Sequence, residues 1–310
     1  MTVVAVTGAN GFIGSRICLD LGNTSNLKII ALVSRLDSRS AVLEKNESIH
    51  VKVIGSIEEY KSWGALFSQI DVLIHCAAKT PTLLRRMLWS KQTFKRNIKT
   101  TQILIKNWEN SRRKITFIFA SSILAENVRD HKSNKIITYE ISKRICEKLV
   151  ADAGTKKGQQ FLIVRLPPVY SEQSKCLLLN FLEVWVVLRI CIPQEFFAIR
   201  KSILGVENAS SFFCGAVVKN FFHNEIVYIE DEQIPSLGEL ILEIYKAKKL
   251  TIYSSRWSGT ILIKILLSLP KTLRDKLLKS NTFCDNDLVS DIWSNRQKSA
   301  VLIEKAFRKN

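Results

Sequence analysis

Several features are missing from this 310-residue chain, and each absence excludes a class of protein. No apolar run is fit to span a bilayer: Leu177–Pro193 is interrupted by Asn180, Glu183 and Arg189, and Gly259–Pro270 is shorter still. Packed helices are expected at both. The seven cysteines contain no CxxC pair, and neither they nor the four histidines show metal-ligand spacing. An odd, scattered set of thiols in apolar contexts predicts reduced, buried cysteines in a cytoplasmic protein without a metal. Internal repeats and low-complexity segments are absent. A signal peptide is not expected either, because a strand pattern occupies the first residues. Acidic residues are scarce, with 28 Asp and Glu against 46 Lys and Arg, for a formal charge of +18. The basic residues are spread out, with no run of five or more and no nucleic-acid motif. This favours a site for an anionic ligand over nucleic acid or an acidic membrane surface as the reason for the charge. With 46% hydrophobic and 24% charged residues, the chain is neither disordered nor membranous in bulk, and it is long enough for a substantial core.

What is present begins at residue 1. A run rich in β-branched residues (Val3, Val4, Val6) ends at Thr7-Gly8, glycines recur at 8, 11 and 14, and a helix-compatible segment follows. Strand, glycine turn and helix N-terminus in succession bring backbone N–H groups and a helix dipole against a pyrophosphate. Gly8 permits the tight turn, Gly11 the approach of phosphates, and Gly14 close helix–strand packing. Candidate cofactor contacts here are Gly8, Asn10, Gly11, Phe12, Ile13 and Gly14.

Strands and helices then alternate at the spacing of βαβ units. Further strands are expected at Lys28–Ser34, His50–Ile54, Ile70–His75, Lys114–Phe119 and Phe161–Arg165, with helices around Ser90–Asn107 and Ser142–Ala153. Right-handed crossovers give a doubly wound parallel sheet covered on both faces. The alternation degrades beyond residue 170. The expected organisation is a dinucleotide-binding domain over 1–170, returning to the sheet near 200–230 (at Glu225–Ile229), and a smaller, interleaved substrate lobe over 171–310.

Ser121-Ser122 closely follow the fifth strand, at the carboxyl edge where such folds bind ligands. Seventeen residues after Ser122 comes Tyr139, with Lys143 one turn further along the same helix face. The Lys143 ammonium would lower the pKa of the Tyr139 phenol, and Ser122 would share a hydrogen bond with a substrate oxygen. The three make a proton-transfer site beside a nicotinamide. His75, at a strand end, is read as structural, and Trp185, Trp257 and Trp293 as packing residues. The second strand ends Leu32-Val33-Ser34-Arg35, without the acid that grips a ribose 2′-hydroxyl. Arg35, or Arg39 beyond it, would pair with a 2′-phosphate. NADP(H) is therefore favoured, with NAD(H) as the alternative.

These residues resemble the extended short-chain dehydrogenase/reductase family, the NAD-dependent epimerase/dehydratase group. The resemblance rests on Thr7-Gly8-x-x-Gly11-x-x-Gly14, His75-Cys76-Ala77-Ala78, Asn97 in a helix, Ser121-Ser122, Tyr139-x-x-x-Lys143, Arg165-Leu166-Pro167-Pro168-Val169-Tyr170 and the Arg200–Asn208 segment. It implies a Rossmann-like α/β fold and adds Ala77, Ala78 and Asn97 to the cofactor site. Within the family the chain looks most like bacterial enzymes of O-antigen and lipopolysaccharide synthesis that reduce or epimerise C4 of UDP-N-acetylhexosamines. By that likeness Arg200 would contact the UDP diphosphate, for which a guanidinium is suited, and Asn180 the nucleotide or sugar. A homodimer through helices around Ser90–Asn107 and Ser142–Ala153 is a further implication. The chain departs from the family at Ala125-Glu126-Asn127, Ser171, Glu172-Gln173 and Ser56, positions that bear on pocket shape and cofactor affinity.

The leading expectation is a 4-ketoreductase of a UDP-linked 6-deoxy-N-acetylhexosamine, with Tyr139 donating the proton, Ser122 polarising the carbonyl and Lys143 tuning Tyr139. A 4-epimerase with bound NAD is the alternative, and a non-catalytic dinucleotide-binding protein is the rival from another class. A dehydratase is disfavoured, because Ile123-Leu124 stand where those relatives carry acidic residues.

Overall fold

The structure, a computed structural model, describes residues 1–80, 92–126, 138–172, 174, 176–188 and 192–250. Asn127, Gln173, Arg189, Cys191, Trp257, Trp293, Cys284 and the Gly259–Pro270 run lie outside the described residues. Chain contacts divide the described residues into two units, Met1–Leu166 with Ala209–Ile229, and Pro167–Asn208 with residues 230–250.

In the first unit, β1 (Thr2–Thr7), α1 (Phe12–Gly22), β2 (Leu27–Val33), α2 (Ser38–Leu43), β3 (Ile49–Val53), α3 (Trp63–Phe67) and β4 (Val72–His75) follow in order. Then come α4 (Gln92–Glu109), β5 (Thr116–Ser122), a 3-10 turn (Ile123–Ala125), α5 (Tyr139–Lys157) and β6 (Phe161–Leu166). The strands form one parallel sheet in the order β3-β2-β1-β4-β5-β6, and β9 (Glu225–Tyr228) adds at the β6 edge. This is the doubly wound order, with its reversal between β1 and β4. β5 and β6 are buried along their whole length, as strands covered on both faces must be. Beneath them Trp63, Phe67, Trp108, Phe117, Val150 and Phe161 pack into one core, and the Trp108 indole donates to the Ile115 carbonyl at 2.8 Å.

Two boundaries differ from the sequence reading in ways that matter for the site. β5 runs through Ser121 and Ser122 instead of stopping at Phe119, because these serines pair in register with Arg165 and Leu166 of β6. The apolar run that announces the strand ends earlier than the ladder that holds it. α5 starts at Tyr139 instead of Ser142, because the Thr138 side chain accepts from the Ile141 N–H and caps the helix.

The second unit holds β7 (Val169–Tyr170), α6 (Leu177–Val187), a 3-10 turn (Gln194–Phe197), β8 (Leu204–Gly205) and α8 (Leu237–Ala247). α7 (Val206–Val218) lies between β8 and β9 in the chain. β7 and β8 pair in parallel. Tyr170, Leu179, Leu182, Trp185, Phe196, Leu240 and Ile244 form this unit's core. Asp231 is buried there, accepting from Tyr170, Asn208 and the Gly205 N–H.

Candidate active site

The end of β1 builds a cradle that side chains would fill. Gly8 takes φ +69°, and a Cβ on it would stand 2.9 Å from the Ala77 backbone. A Cβ on Gly14 would meet the Gly8 carbonyl oxygen at 2.3 Å, so α1 starts hard against the strand end. No side chain caps α1, whose N-cap is Gly11, and no acidic residue sits in its first turn. Phe12, Ile13 and Gly14 thus open a helix whose N–H groups and positive dipole end suit an anion. The residues present fit a dinucleotide pyrophosphate.

Next to this turn, the His75 ring is bonded on both sides. Its Nδ1 lies 2.7 Å from the Thr7 hydroxyl and its Nε2 3.2 Å from that of Thr101. The ring is 1% exposed, and burial, followed by the nearby Lys143 charge, lowers its pKa to about 3. A neutral, doubly bonded imidazole is a strut between β1, β4 and α4, not a proton shuttle at neutral pH. Asn97 holds the exit of β4: its carbonyl accepts from the Lys79 N–H at 2.8 Å and its amide donates to the Lys79 carbonyl at 3.1 Å. Ala77 and Ala78 lie between these two fixtures, and the Ala77 N–H reaches the Thr7 hydroxyl at 3.4 Å.

The two serines of β5 have different partners. The Ser122 hydroxyl faces the Tyr139 phenol and accepts from the Leu124 N–H at 3.3 Å. Ser121 donates to the Glu147 carboxylate at 2.6 Å. Lys143 is 4% exposed, donates to the Ala120 carbonyl at 2.6 Å, and lies 4.6 Å from the centre of the Phe119 ring. Burial lowers its pKa, opposed by Cys146, Cys76 and Glu147. Ser122, Tyr139 and Lys143 are therefore brought together, at the carboxyl edge beside the end of β4.

The charge state of Tyr139 differs from the sequence expectation. Burial pushes the phenol above its usual range, and the nearby Ser122 hydroxyl opposes this only in part. The Lys143 ammonium, which donates to the Ala120 carbonyl, does not outweigh the effect of burial. Tyr139 keeps its proton at neutral pH, the state a proton donor requires.

At the end of β2 the structure supplies an acid that sequence reading passed over. Asp37 caps α2, accepting from the N–H groups of Arg39 and Ser40, and its other oxygen accepts from the Asn10 amide at 3.0 Å. Asn10 also donates to the Arg35 carbonyl at 3.3 Å, and an Arg39 guanidinium N–H reaches the Asn10 carbonyl at 3.4 Å. The glycine turn is thus tied to the β2–α2 loop, with Arg35 and Arg39 exposed beside one carboxylate. The Asp37-x-x-Ser40 capping signature was the available signal.

Two predicted substrate residues belong to the second unit. Asn180 is exposed on α6. Arg200 is exposed, donates to the Ile234 carbonyl at 2.7 Å, and bridges to Ser236. Its neighbour Lys201 is buried, and desolvation lowers its pKa to about 8. Among the described residues no group of three or more His, Cys, Asp or Glu could hold a metal ion, and no helix is long and apolar enough to cross a membrane.

Residues 4–179, more than half of the sequence, match the family model for the NAD dependent epimerase/dehydratase family. The chain belongs to that family. No curated protein matches it in sequence. Among solved structures it is similar to the UDP-Glc/GlcNAc 4-epimerase of Campylobacter jejuni, with a TM-score of 0.72, 16% identity, and coverage of 99% of this chain and 98% of that one. It is also similar to a UDP-glucuronic acid 4-epimerase from Bacillus cereus solved with UDP-glucuronic acid and NAD, at TM-score 0.66 and 17% identity over 99% of both chains. A third is the UDP-N-acetylglucosamine 4-epimerase of Methanobrevibacter ruminantium, at TM-score 0.70, 15% identity, and coverage of 99% and 97%. At these identities the likeness establishes the Rossmann-like fold. Membership supports a nicotinamide dinucleotide as cofactor.

Proposed function

We propose that this family member is a nicotinamide-dependent oxidoreductase acting at C4 of a UDP-linked sugar. In the reading we favour, it reduces the 4-keto group of a UDP-6-deoxy-N-acetylhexosamine in surface-polysaccharide synthesis. The carrying observation is that Ser122 ends the strand, its hydroxyl faces the Tyr139 phenol, and Lys143, one turn along the same helix, is held by the Ala120 carbonyl at this strand edge. The turn residues Gly8, Asn10, Gly11, Phe12, Ile13 and Gly14, with Ala77, Ala78 and Asn97 around them, hold the dinucleotide. When bound, its nicotinamide supplies the hydride. Tyr139, protonated at neutral pH, passes its phenolic proton to the C4 oxygen, and Ser122 polarises the same oxygen by a hydrogen bond. Lys143, held by the Ala120 carbonyl, carries positive charge to the phenolate as it forms and binds the nicotinamide ribose. Arg200 binds the diphosphate and Asn180 the nucleotide or sugar. Arg35 and Arg39 favour NADP(H) through its 2′-phosphate.

A second reading, a 4-epimerase with retained NAD, is favoured by Asp37, whose carboxylate at the end of β2 would repel a 2′-phosphate. The test is to identify the dinucleotide released on denaturation and to follow NADPH oxidation with a UDP-4-keto-6-deoxy-N-acetylhexosamine. Keto-sugar-dependent oxidation that falls by roughly 10²–10⁴ in Tyr139→Phe is expected. Released NAD with no net oxidation would replace the reductase by the epimerase. Dinucleotide binding with neither activity would make the chain a binding protein.

A further inference from the structure

Three consecutive residues of β5 hold three residues of α5 spaced by four. The Ala120 carbonyl accepts from Lys143, Ser121 donates to Glu147, and the Ser122 hydroxyl faces the Tyr139 phenol. Positions i, i+4 and i+8 form one stripe along a helix, so these contacts make a ladder that sets the helix on the strand. The proposed chemistry uses two of the rungs. Glu147, the third, is 1% exposed and saturated with donors. One oxygen accepts from Ser121 at 2.6 Å and Arg165 Nε at 2.9 Å, the other from Arg165 at 2.8 Å and Arg144 at 3.3 Å. Arg165, itself buried on β6, continues to the Tyr228 hydroxyl on β9, and its guanidinium lies 5.1 Å from the centre of that ring. Glu126, just past the 3-10 turn that follows Ser122, also acts on the Tyr228 phenol and raises its pKa.

A buried ion pair is weak evidence for stability, since apolar residues of equal volume often do as well. Its position is what gives it meaning here. Lys143 faces His75 and Cys76 from the end of β4, and Cys146 and Glu147 from its own helix. β5 offers it the Ala120 carbonyl and the Phe119 ring, and the groups of α4 on this side, Asn97 and Thr101, are uncharged. Glu147 is the one carboxylate among these neighbours, and the guanidinium of Arg165 sets how much of its charge Lys143 feels.

We propose that Glu147 is a positioning residue of the Ser122–Tyr139–Lys143 site, locking α5 onto β5 through Ser121 and, shared with Arg165, keeping Lys143 charged beside Tyr139. This rests on the proposed function for its consequence but not for its test. In the full chain, the titration of Lys143 is followed by competitive acetylation with acetic anhydride over a pH series and peptide mass spectrometry, while melting curves establish folding. Glu147→Gln should lower the Lys143 midpoint by half a pH unit or more. Glu147→Asp, which keeps the charge, should stay within a few tenths of wild type. Arg165→Met should move the midpoint up, because it removes a cation and frees the Glu147 charge. Where turnover is measurable, the alkaline limb of the pH–rate profile should follow the same order. An unchanged midpoint in both Glu147→Gln and Arg165→Met would overturn the proposal and leave Glu147 as packing. Should Glu147→Gln not fold, a null result with Arg165→Met alone has the same meaning. A wild-type chain that turns over no UDP-sugar would defeat the proposed function, and the Lys143 midpoints would still decide this one.

Discussion

Replacing His75 by Gln tests how the dinucleotide-binding unit is held together. In the folded chain the imidazole is buried between the Thr7 and Thr101 hydroxyls, with a pKa lowered to about 3. In the unfolded chain it titrates near about 6.5. Above that value both states are neutral and pH has no leverage through this residue. Below it the unfolded state binds a proton that the native state refuses, so stability falls as pH falls, by about 1.4 kcal/mol per unit until the folded value is reached. Between pH 6.5 and 5 the loss is about 2 kcal/mol on that slope. His75→Gln removes the titration but leaves buried hydroxyls imperfectly paired, at a cost of about 1–3 kcal/mol at neutral pH. The variant should start weaker, lose less on acidification, and draw level with wild type near about pH 5. Urea titrations at several pH values would read this, with unfolding followed by pulse labelling of Cys18 and Cys146, buried thiols of the same unit. Two curves that fall in parallel from pH 6.5 to 5 would refute a neutral, buried His75.

Gly14→Ala would drive a methyl group into the Gly8 carbonyl, so dinucleotide affinity, measured by calorimetry, should drop by at least about tenfold with a stability loss of about 1–3 kcal/mol. Unchanged affinity would mean that the turn does not carry the pyrophosphate. Arg35→Ala should weaken NADPH by roughly tenfold or more and leave NADH nearly unaffected, because only the former offers a 2′-phosphate to the guanidinium. Equal losses for both, or none, would remove Arg35 from cofactor choice. Asp37→Ala removes the cap of α2 and the anchor of Asn10, costing about 1 kcal/mol in denaturant titrations while relatively favouring NADPH. A shift towards NADH would contradict that electrostatic reading.

Local pattern alone carried the doubly wound architecture. Strand 2–7, the glycines at 8, 11 and 14 and the helix after them lie within a few turns of chain, and short-range sterics decide them. The spacing of Tyr139 and Lys143 placed both on one helix face for the same reason. What required the tertiary structure was set by partners far away in sequence. Pairing with β6 extended β5 through its serines, and packing of α5 then gave Ser121 to Glu147 and Ser122 to Tyr139. Folding brought Asp37 to Asn10 and Arg165 to Glu147, neither of which any periodicity announces. Burial, a property of the whole assembled unit, raised the Tyr139 pKa where a neighbouring ammonium had suggested the opposite. Backbone preference acts over a few residues and is readable in order along the chain. Desolvation and hydrogen-bond partnership act across the sheet and exist only once it has formed.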